Sequence, residues 1–201
     1  MPALLLMVKN PIPGKTKTRL AADVGNEMAL KMYHHLLEWT REQALGLEED
    51  VTRYLFYSNE VTKNDGWPAA KFVKALQHQG DLGERMQTAF VTAFAAGHER
   101  AIIIGSDCPG ITTEYLREAF AALEDHDLVI GPALDGGYTL LGMRKLHSEL
   151  FTEMEWSTDQ VLPTTLARAA AANLRVAKLA PLSDVDYLED WLSYGWLLPK
   201  N

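Results

Sequence analysis

A chain of 201 residues, 47% hydrophobic and 23% charged, is long enough to bury a sizeable core and too apolar to be disordered as its main state. Its formal charge of -8 argues against a nucleic-acid binder, which would carry a basic surplus. One cysteine, Cys108, excludes an intramolecular disulfide and a Cys-rich zinc site, and the N-terminal apolar run from Leu4 to Val8, ended by Lys9, is too short for a signal-peptide core or a bilayer span; a soluble cytoplasmic protein without a membrane partner is expected.

There is no obvious linker and no internal repeat, so one α/β domain over residues 1–201 is expected. Ala3 to Lys9 reads as a buried strand stopped by Asn10-Pro11. Asn26 to Leu45 reads as a helix with Met28, Leu30, Met32, Leu36, Leu37 and Leu45 at its apolar positions and Gly46 at its end; its length and apolar face suit a homodimer. Val51 to Tyr57 is a strand, Asn59 to Pro68 a loop, and Lys71 to Leu76 a short strand. Leu82 to Ala96 is a helix closed by Gly97, and Arg100 to Gly105 is the clearest strand, through Ile102, Ile103 and Ile104. Thr113 to Leu123 is a helix capped by Thr112 or Thr113. Strands at Asp127 to Gly131 and Tyr138 to Met143 follow, then a helix from Thr158 to Ala172 with Pro163 in its first turns, a strand from Leu174 to Leu179, and a helix from Tyr187 to Tyr194. This alternation predicts a largely parallel sheet covered on both faces, with ligands beyond the carboxyl ends of its strands.

The segment Lys9 to Leu20 directly follows the first strand and carries Lys9, Lys15, Lys17 and Arg19 in an acidic chain. Arginine offers a planar fork to phosphate oxygens and lysine a mobile point charge, while Gly14 lets backbone N–H groups come close to an anion. Gly14-Lys15-Thr16 matches the end of a Walker A loop, but that motif needs a glycine where Lys9 stands, and Pro11 and Pro13 remove two N–H donors. The bland alternative is a solvated charged turn.

Asp107 lies just past the central strand, before the turn-forming Pro109-Gly110. With Asp184 and Asp186, which follow the last strand and point the same way if extended, it offers hard oxygen ligands for Mg²⁺ or Mn²⁺. As plain structure, Asp184 would be a cap or turn residue. Asp135-Gly136-Gly137-Tyr138 is either a tight hairpin or a substrate loop. Gly80 and Asp81, followed by Arg85, either cap a helix or let a base or ribose lie against its N-terminus. Cys108 reads as a small buried residue, Trp156 as a packed one, and the six histidines show no zinc spacing.

Taken in order, Pro13-Gly14-Lys15-Thr16-Lys17-Thr18-Arg19-Leu20, Gly80-Asp81-Leu82-Gly83-Glu84-Arg85-Met86, Gly105-Ser106-Asp107-Cys108-Pro109, Gly131-Pro132 with Asp135-Gly136-Gly137-Tyr138, and Asp184-Val185-Asp186 resemble the bacterial family DUF2064, also labelled radical-SAM/selenodomain-associated transferase 1, over essentially the whole chain. That family lies in the GT-A, or nucleotide-diphospho-sugar transferase, superfamily. The resemblance implies a three-layer α/β/α sandwich and a transferase acting on a small-molecule nucleotide or nucleotide sugar, with the acceptor left open. It implies metal binding at Asp107 and at Asp186 or Asp184. Lys15 and Arg19 would match basic residues of the N-terminal loop. Gly80 and Asp81 would sit at the base or ribose, and Asp135, Gly136 and Tyr138 at the acceptor or sugar.

Two departures matter. Asp107 is followed by Cys108-Pro109 rather than the second carboxylate of an Asp-x-Asp motif, and the segment Lys9 to Arg19 replaces the glycine-rich loop of many nucleotidyltransferases. The reading adopted at this level is a metal-dependent glycosyltransferase with Asp107, Asp135, Lys15 and Arg19 as its catalytic group. A nucleotidyltransferase akin to the molybdopterin or phospholactate guanylyltransferases stands close behind, and a non-catalytic nucleotide-binding protein is third.

Overall fold

The computed structural model describes residues 1–199, so the last two residues of the expected 1–201 domain lie outside it. Among the described residues the strands β1 (Pro2–Val8), β2 (Thr52–Tyr57), β3 (Val73–Leu76), β4 (Arg100–Ile104), β5 (Leu128–Pro132), β6 (Tyr138–Met143) and β7 (Val176–Lys178) form one sheet in the order β3-β2-β1-β4-β6-β5-β7. β1 pairs in parallel with β2 and β4, β2 with β3, and β5 with β7. β6 runs antiparallel to both β4 and β5, because the turn at Asp135-Gly136-Gly137 folds β6 straight back along β5.

The helices are α1 (Thr18–Val24), α2 (Asn26–Leu45), α3 (Leu82–Ala95), α4 (Thr113–Asp125), α5 (Val161–Ala171) and α6 (Leu188–Ser193). β1 shows how the layers arise. Side chains alternate along a strand, and Leu4, Leu6 and Val8 enter one core while Ala3 and Leu5 enter the other. Leu20 of α1, Met32 of α2, Leu116 of α4 and Trp191 of α6 close the first core. Phe90 of α3 and Ala169 of α5 close the second. Each leucine so buried contributes about 1.5–3 kcal/mol. This is the three-layer α/β/α arrangement expected from the sequence.

Several boundaries differ. The segment Lys9 to Leu20, read as one loop, already contains the start of α1, a two-turn helix too short to show an apolar period. β3 begins at Val73 because Pro68–Phe72 forms a turn, with the Phe72 N–H bonded to the Pro68 carbonyl at 3.1 Å. α5 starts at Val161 rather than Thr158: Ser157 is left-handed (φ 64°) and the Thr158 hydroxyl donates back to Glu155 O. β7 covers three residues of the predicted six. The apolar stripe of α2 is spent on its own chain, with Ala29, Met32, Tyr33, Leu36, Leu37 and Ala44 buried. Among the described residues no helix is long and apolar enough to cross a membrane.

The carbonyls at the end of α2 find a donor the sequence did not advertise. Arg53 of β2 is 5% exposed, and its guanidinium donates to Ala44 O, Val51 O and Leu47 O at 2.7 Å each and to Glu48 O at 3.0 Å. Replacing it leaves buried carbonyls unpaired. Arg53→Met is expected to lower stability by about 2–4 kcal/mol, read as a shift of the urea midpoint without a change of slope.

Candidate active site

A cleft of about 770 Å³ opens beyond the carboxyl ends of β1 and β4, within the size range of small-molecule sites. Its walls include Lys9, Lys15, Lys17, Arg19, Arg85, Asp107, Asp184, Asp186 and Tyr138. Residues from five separate stretches of sequence therefore meet in one place.

The loop after β1 is shaped by side chains rather than by a glycine-rich backbone. The Asn10 side chain accepts from the Asn59 and Glu60 N–H groups at 2.9 and 3.3 Å and donates to Glu60 O at 2.9 Å, while its own N–H donates to the Ser58 hydroxyl at 3.0 Å. The Thr16 hydroxyl is buried; it donates to Asn10 O and accepts from the Ile12 N–H. A Walker loop would aim that hydroxyl at a metal, so its inward turn disfavours the Walker reading. Lys17 then takes a left-handed conformation (φ 51°, ψ 51°) at the start of α1.

That backbone turn drives the Lys17 side chain into the cleft floor. Its Nζ lies 3.0 Å from Oδ2 of Asp107 and 3.3 Å from Oδ1 of Asp186. Arg19 reaches the other oxygen of Asp186 at 2.8 Å. The two carboxylates are neighbours because the segment after β7 is stitched to the one after β4. The Val185 N–H donates to Asp107 O at 2.8 Å, and the Cys108 thiol donates to Ser183 O at 3.3 Å. Asp190 fixes the far side by accepting from the Asp186 and Tyr187 N–H groups at 2.9 and 2.7 Å.

The charges follow from this packing. Burial acts to lower the Lys17 ammonium, but Asp107, Asp186 and Asp184 outweigh it and hold it above the usual lysine range. Burial acts to raise Asp107, and Lys17 outweighs that, keeping the carboxyl below its ordinary range. Asp184 is relieved too little: burial first, then the charge of Asp107, outweigh the pull of Lys17 and, with Asp186, push it up to about 8. Were all three carboxylates ionised, they would outnumber the floor's two cations, and Asp184 is the one that keeps its proton. Among the described residues no three His, Cys, Asp or Glu side chains already converge as a metal cluster.

Two groups missed by sequence reasoning, one buried and one half-buried, hold the floor. The Tyr33 hydroxyl, from α2, donates to Lys9 O at 2.9 Å, accepts from the Lys9 N–H at 3.0 Å and lies 3.2 Å from the Ser106 hydroxyl. It ties the ends of β1 and β4 together, and burial pushes its phenol up to about 12. Gln77, after β3, donates through Nε2 to Val8 O and Phe56 O at 3.0 and 3.1 Å. Only contacts across the fold reveal these roles; a tyrosine on an amphipathic helix carries no signal of its own.

The remaining expected residues lie elsewhere than on the cleft wall. Asp81 caps α3 by accepting from the Glu84 N–H at 2.9 Å, while Glu84 accepts from the Asp81 N–H at 2.9 Å, a reciprocal capping box. Gly80 gives its carbonyl to Arg85 Nε at 2.9 Å, which orients that guanidinium at the cleft rim. Asp135 accepts from the Gly137 N–H at 3.0 Å, as a turn aspartate does. Gly136 has φ 92° and packs so closely that an added Cβ would lie 2.6 Å from Cα of Asp159; glycine is required on both counts. Gly14 (φ 71°) turns the basic loop. These positions shape the loops that carry the cleft residues.

Comparison with known proteins sets this cleft in context. The model of the family described as an uncharacterized protein conserved in bacteria, DUF2064, matches residues 41–158. No curated protein matches the chain. A solved structure from Desulfovibrio desulfuricans G20, described as a nucleotide-diphospho-sugar transferase, is 33% identical, covers 92% of this chain and 82% of its own, and superposes with a TM-score of 0.85. The inositol-1-phosphate CTP transferase of T. maritima is 14% identical, with 94% and 91% covered and a TM-score of 0.59. CMP:2-keto-3-deoxy-manno-octonic acid synthetase, solved with CTP, is 11% identical, with 96% and 97% covered and a TM-score of 0.57. The last two show the shared fold.

Asp184 yields a pH test. The folded protein keeps a proton on Asp184 that the unfolded chain releases near pH 4, so stability falls as pH rises from there to about 8 and is level beyond. In metal-free buffer, Asp184→Asn is expected to melt higher than the parent by a margin that widens from pH 5 to pH 8. A margin independent of pH would refute the charge excess.

Proposed function

The chain belongs to the DUF2064 family and has the nucleotide-diphospho-sugar transferase fold, and from that premise we propose that it is a nucleotidyltransferase. A nucleoside triphosphate would lie with its phosphates against the loop from Lys9 to Arg19. An anionic oxygen of a phosphorylated or carboxylated acceptor would attack the α-phosphorus. The bond from that phosphorus to the bridging oxygen of the β-phosphate would break and pyrophosphate would leave.

The observation that carries this reading is the distribution of charge. Lys9, Lys15, Lys17, Arg19 and Arg85 line one cleft, a surplus of cations suited to three phosphates and an anionic acceptor. In such a reaction the protein's work is positioning and charge neutralisation. Arg19 and Lys15 would hold the β- and γ-phosphates as the charge on the leaving group grows. Arg85, oriented by Gly80 O, would face them from the opposite rim. An acceptor that arrives already ionised needs no strong base. That agrees with Asp135, one of the catalytic group expected for glycosyl transfer, accepting from the Gly137 N–H of its own turn.

The donor chemistry of the floor fits a hard divalent cation. Asp107, Asp184 and Asp186 offer carboxylate oxygens, and such an ion would settle the negative charge that Asp184 takes on when it gives up its proton. Asp107 with Asp186 or Asp184 would hold Mg²⁺ or Mn²⁺, and the ion would supply charge neutralisation at the phosphate oxygens.

Glycosyl transfer from a nucleotide-diphosphate sugar is the second reading, favoured by the description of the 33%-identical Desulfovibrio protein. A thermal-shift panel separates the two, since a ligand that binds the native state raises its midpoint. The expected outcome is a metal-dependent shift with one nucleoside triphosphate and pyrophosphate release with an anionic acceptor. Lys15→Ala and Arg19→Ala should each weaken triphosphate binding about tenfold or more, the scale of a lost charge-assisted contact. A shift confined to nucleotide-diphosphate sugars would hand the assignment to glycosyl transfer.

A further inference from the structure

Lys17 is set apart from the other cations of the cleft. Its side chain is 7% exposed, against 66% for Arg19. It stands between the two carboxylates assigned above to the divalent ion, 3.0 Å from one and 3.3 Å from the other. Magnesium–oxygen distances are about 2.0–2.1 Å. Each carboxylate would therefore have to close in by roughly 1 Å to grip the ion. Asp107 and Asp186 are 33% and 41% exposed, which leaves them room to move. An ammonium already lodged between them prevents the closure, both by its volume and by like-charge repulsion of the incoming ion.

We propose that Lys17 is a stand-in cation: its ammonium and a divalent metal are mutually exclusive occupants of the position between Asp107 and Asp186. In the resting protein the lysine neutralises the floor and keeps free metal out. Phosphate oxygens, arriving with metal, offer the ammonium a second anionic partner and so release the carboxylates. Lys17 is a non-glycine residue in the left-handed region, at the first boundary of a seven-residue helix, a sparsely populated conformation that its surroundings have to hold. The release step rests on the nucleotide reading above; the exclusion itself does not.

The test is a titration with Mn²⁺ alone, following free Mn²⁺ by electron paramagnetic resonance, with no nucleotide present. Wild-type protein is expected to bind Mn²⁺ weakly. Lys17→Met, which keeps the length without the charge, should bind it about tenfold or more tightly. Lys17→Gln, which restores a hydrogen-bond donor, should do the same and serves if the methionine variant does not fold without metal. Lys17→Arg, which keeps the charge, should stay as weak as the parent. Mn²⁺ should also raise the melting temperature of the neutral variants more than that of wild type. Equal Mn²⁺ affinity in wild type and the folded neutral variants would overturn the proposal, as would a loss of affinity on removing the charge. Adding a non-hydrolysable triphosphate to wild type should then tighten Mn²⁺ binding. A gain in the neutral variants without that last effect would uphold the exclusion and count against triphosphate use, so the two ideas fail separately.

Discussion

One ammonium, that of Lys17, reconciles two aspartates that would otherwise repel each other at the foot of a cleft. Asp107 follows β4 and Asp186 follows β7, seventy-nine positions further along the chain by their numbers. They are brought together where the Val185 N–H donates to Asp107 O and the Cys108 thiol to Ser183 O. Taking charges out of water is costly, and a buried pair recovers that cost only with good geometry and further bonds. Here the recovery is incomplete, as the upward shift of Asp184 records. The fold supports the arrangement at its edges: Tyr33 clamps the ends of β1 and β4, Asn10 and Thr16 fix the loop that delivers Lys17, and Asp190 holds Asp186 from behind.

The sheet explains why the cleft lies where it does. β1 and β4 are adjacent, parallel and central, and both release the chain at the same end. Loops leaving neighbouring parallel strands are forced to share space there. The antiparallel β6 sits next to β4 and begins at that end, so Tyr138 and Thr139 form part of the same wall. A sheet with β6 reversed would send those residues to the opposite edge.

Most of the architecture was legible in the sequence because burial leaves a periodic trace. Ile102-Ile103-Ile104 could be little else than a buried strand, and the apolar spacing of Asn26 to Leu45 gave α2 with its observed bounds. α1 was illegible, since seven residues hold too few turns for a period to emerge. The antiparallel course of β6 was legible only as the two glycines of a hairpin. At the site, the basic and acidic clusters were visible because charged residues directly after buried strands are unusual. Their wiring was not. That Lys17, rather than Lys15, meets Asp107 depends on a left-handed turn. That Asp81 and Asp135 serve caps and turns depends on bonds a few residues away, which a functional motif and a structural one can share. Arg53, Tyr33 and Gln77 act through backbone carbonyls of distant segments, and backbone carbonyls have no letter in a sequence.

The Asn10 hub has an evolutionary corollary. The loop after β1 takes its shape from Ser58, Asn59, Glu60 and Thr62, so it is not a self-contained cassette. Two segments forty-eight positions apart are inherited as one part. Among relatives, a change at Asn10 would have to travel with a change beyond β2. A basic loop grafted into another member of the fold would arrive misshapen unless its distant half came with it.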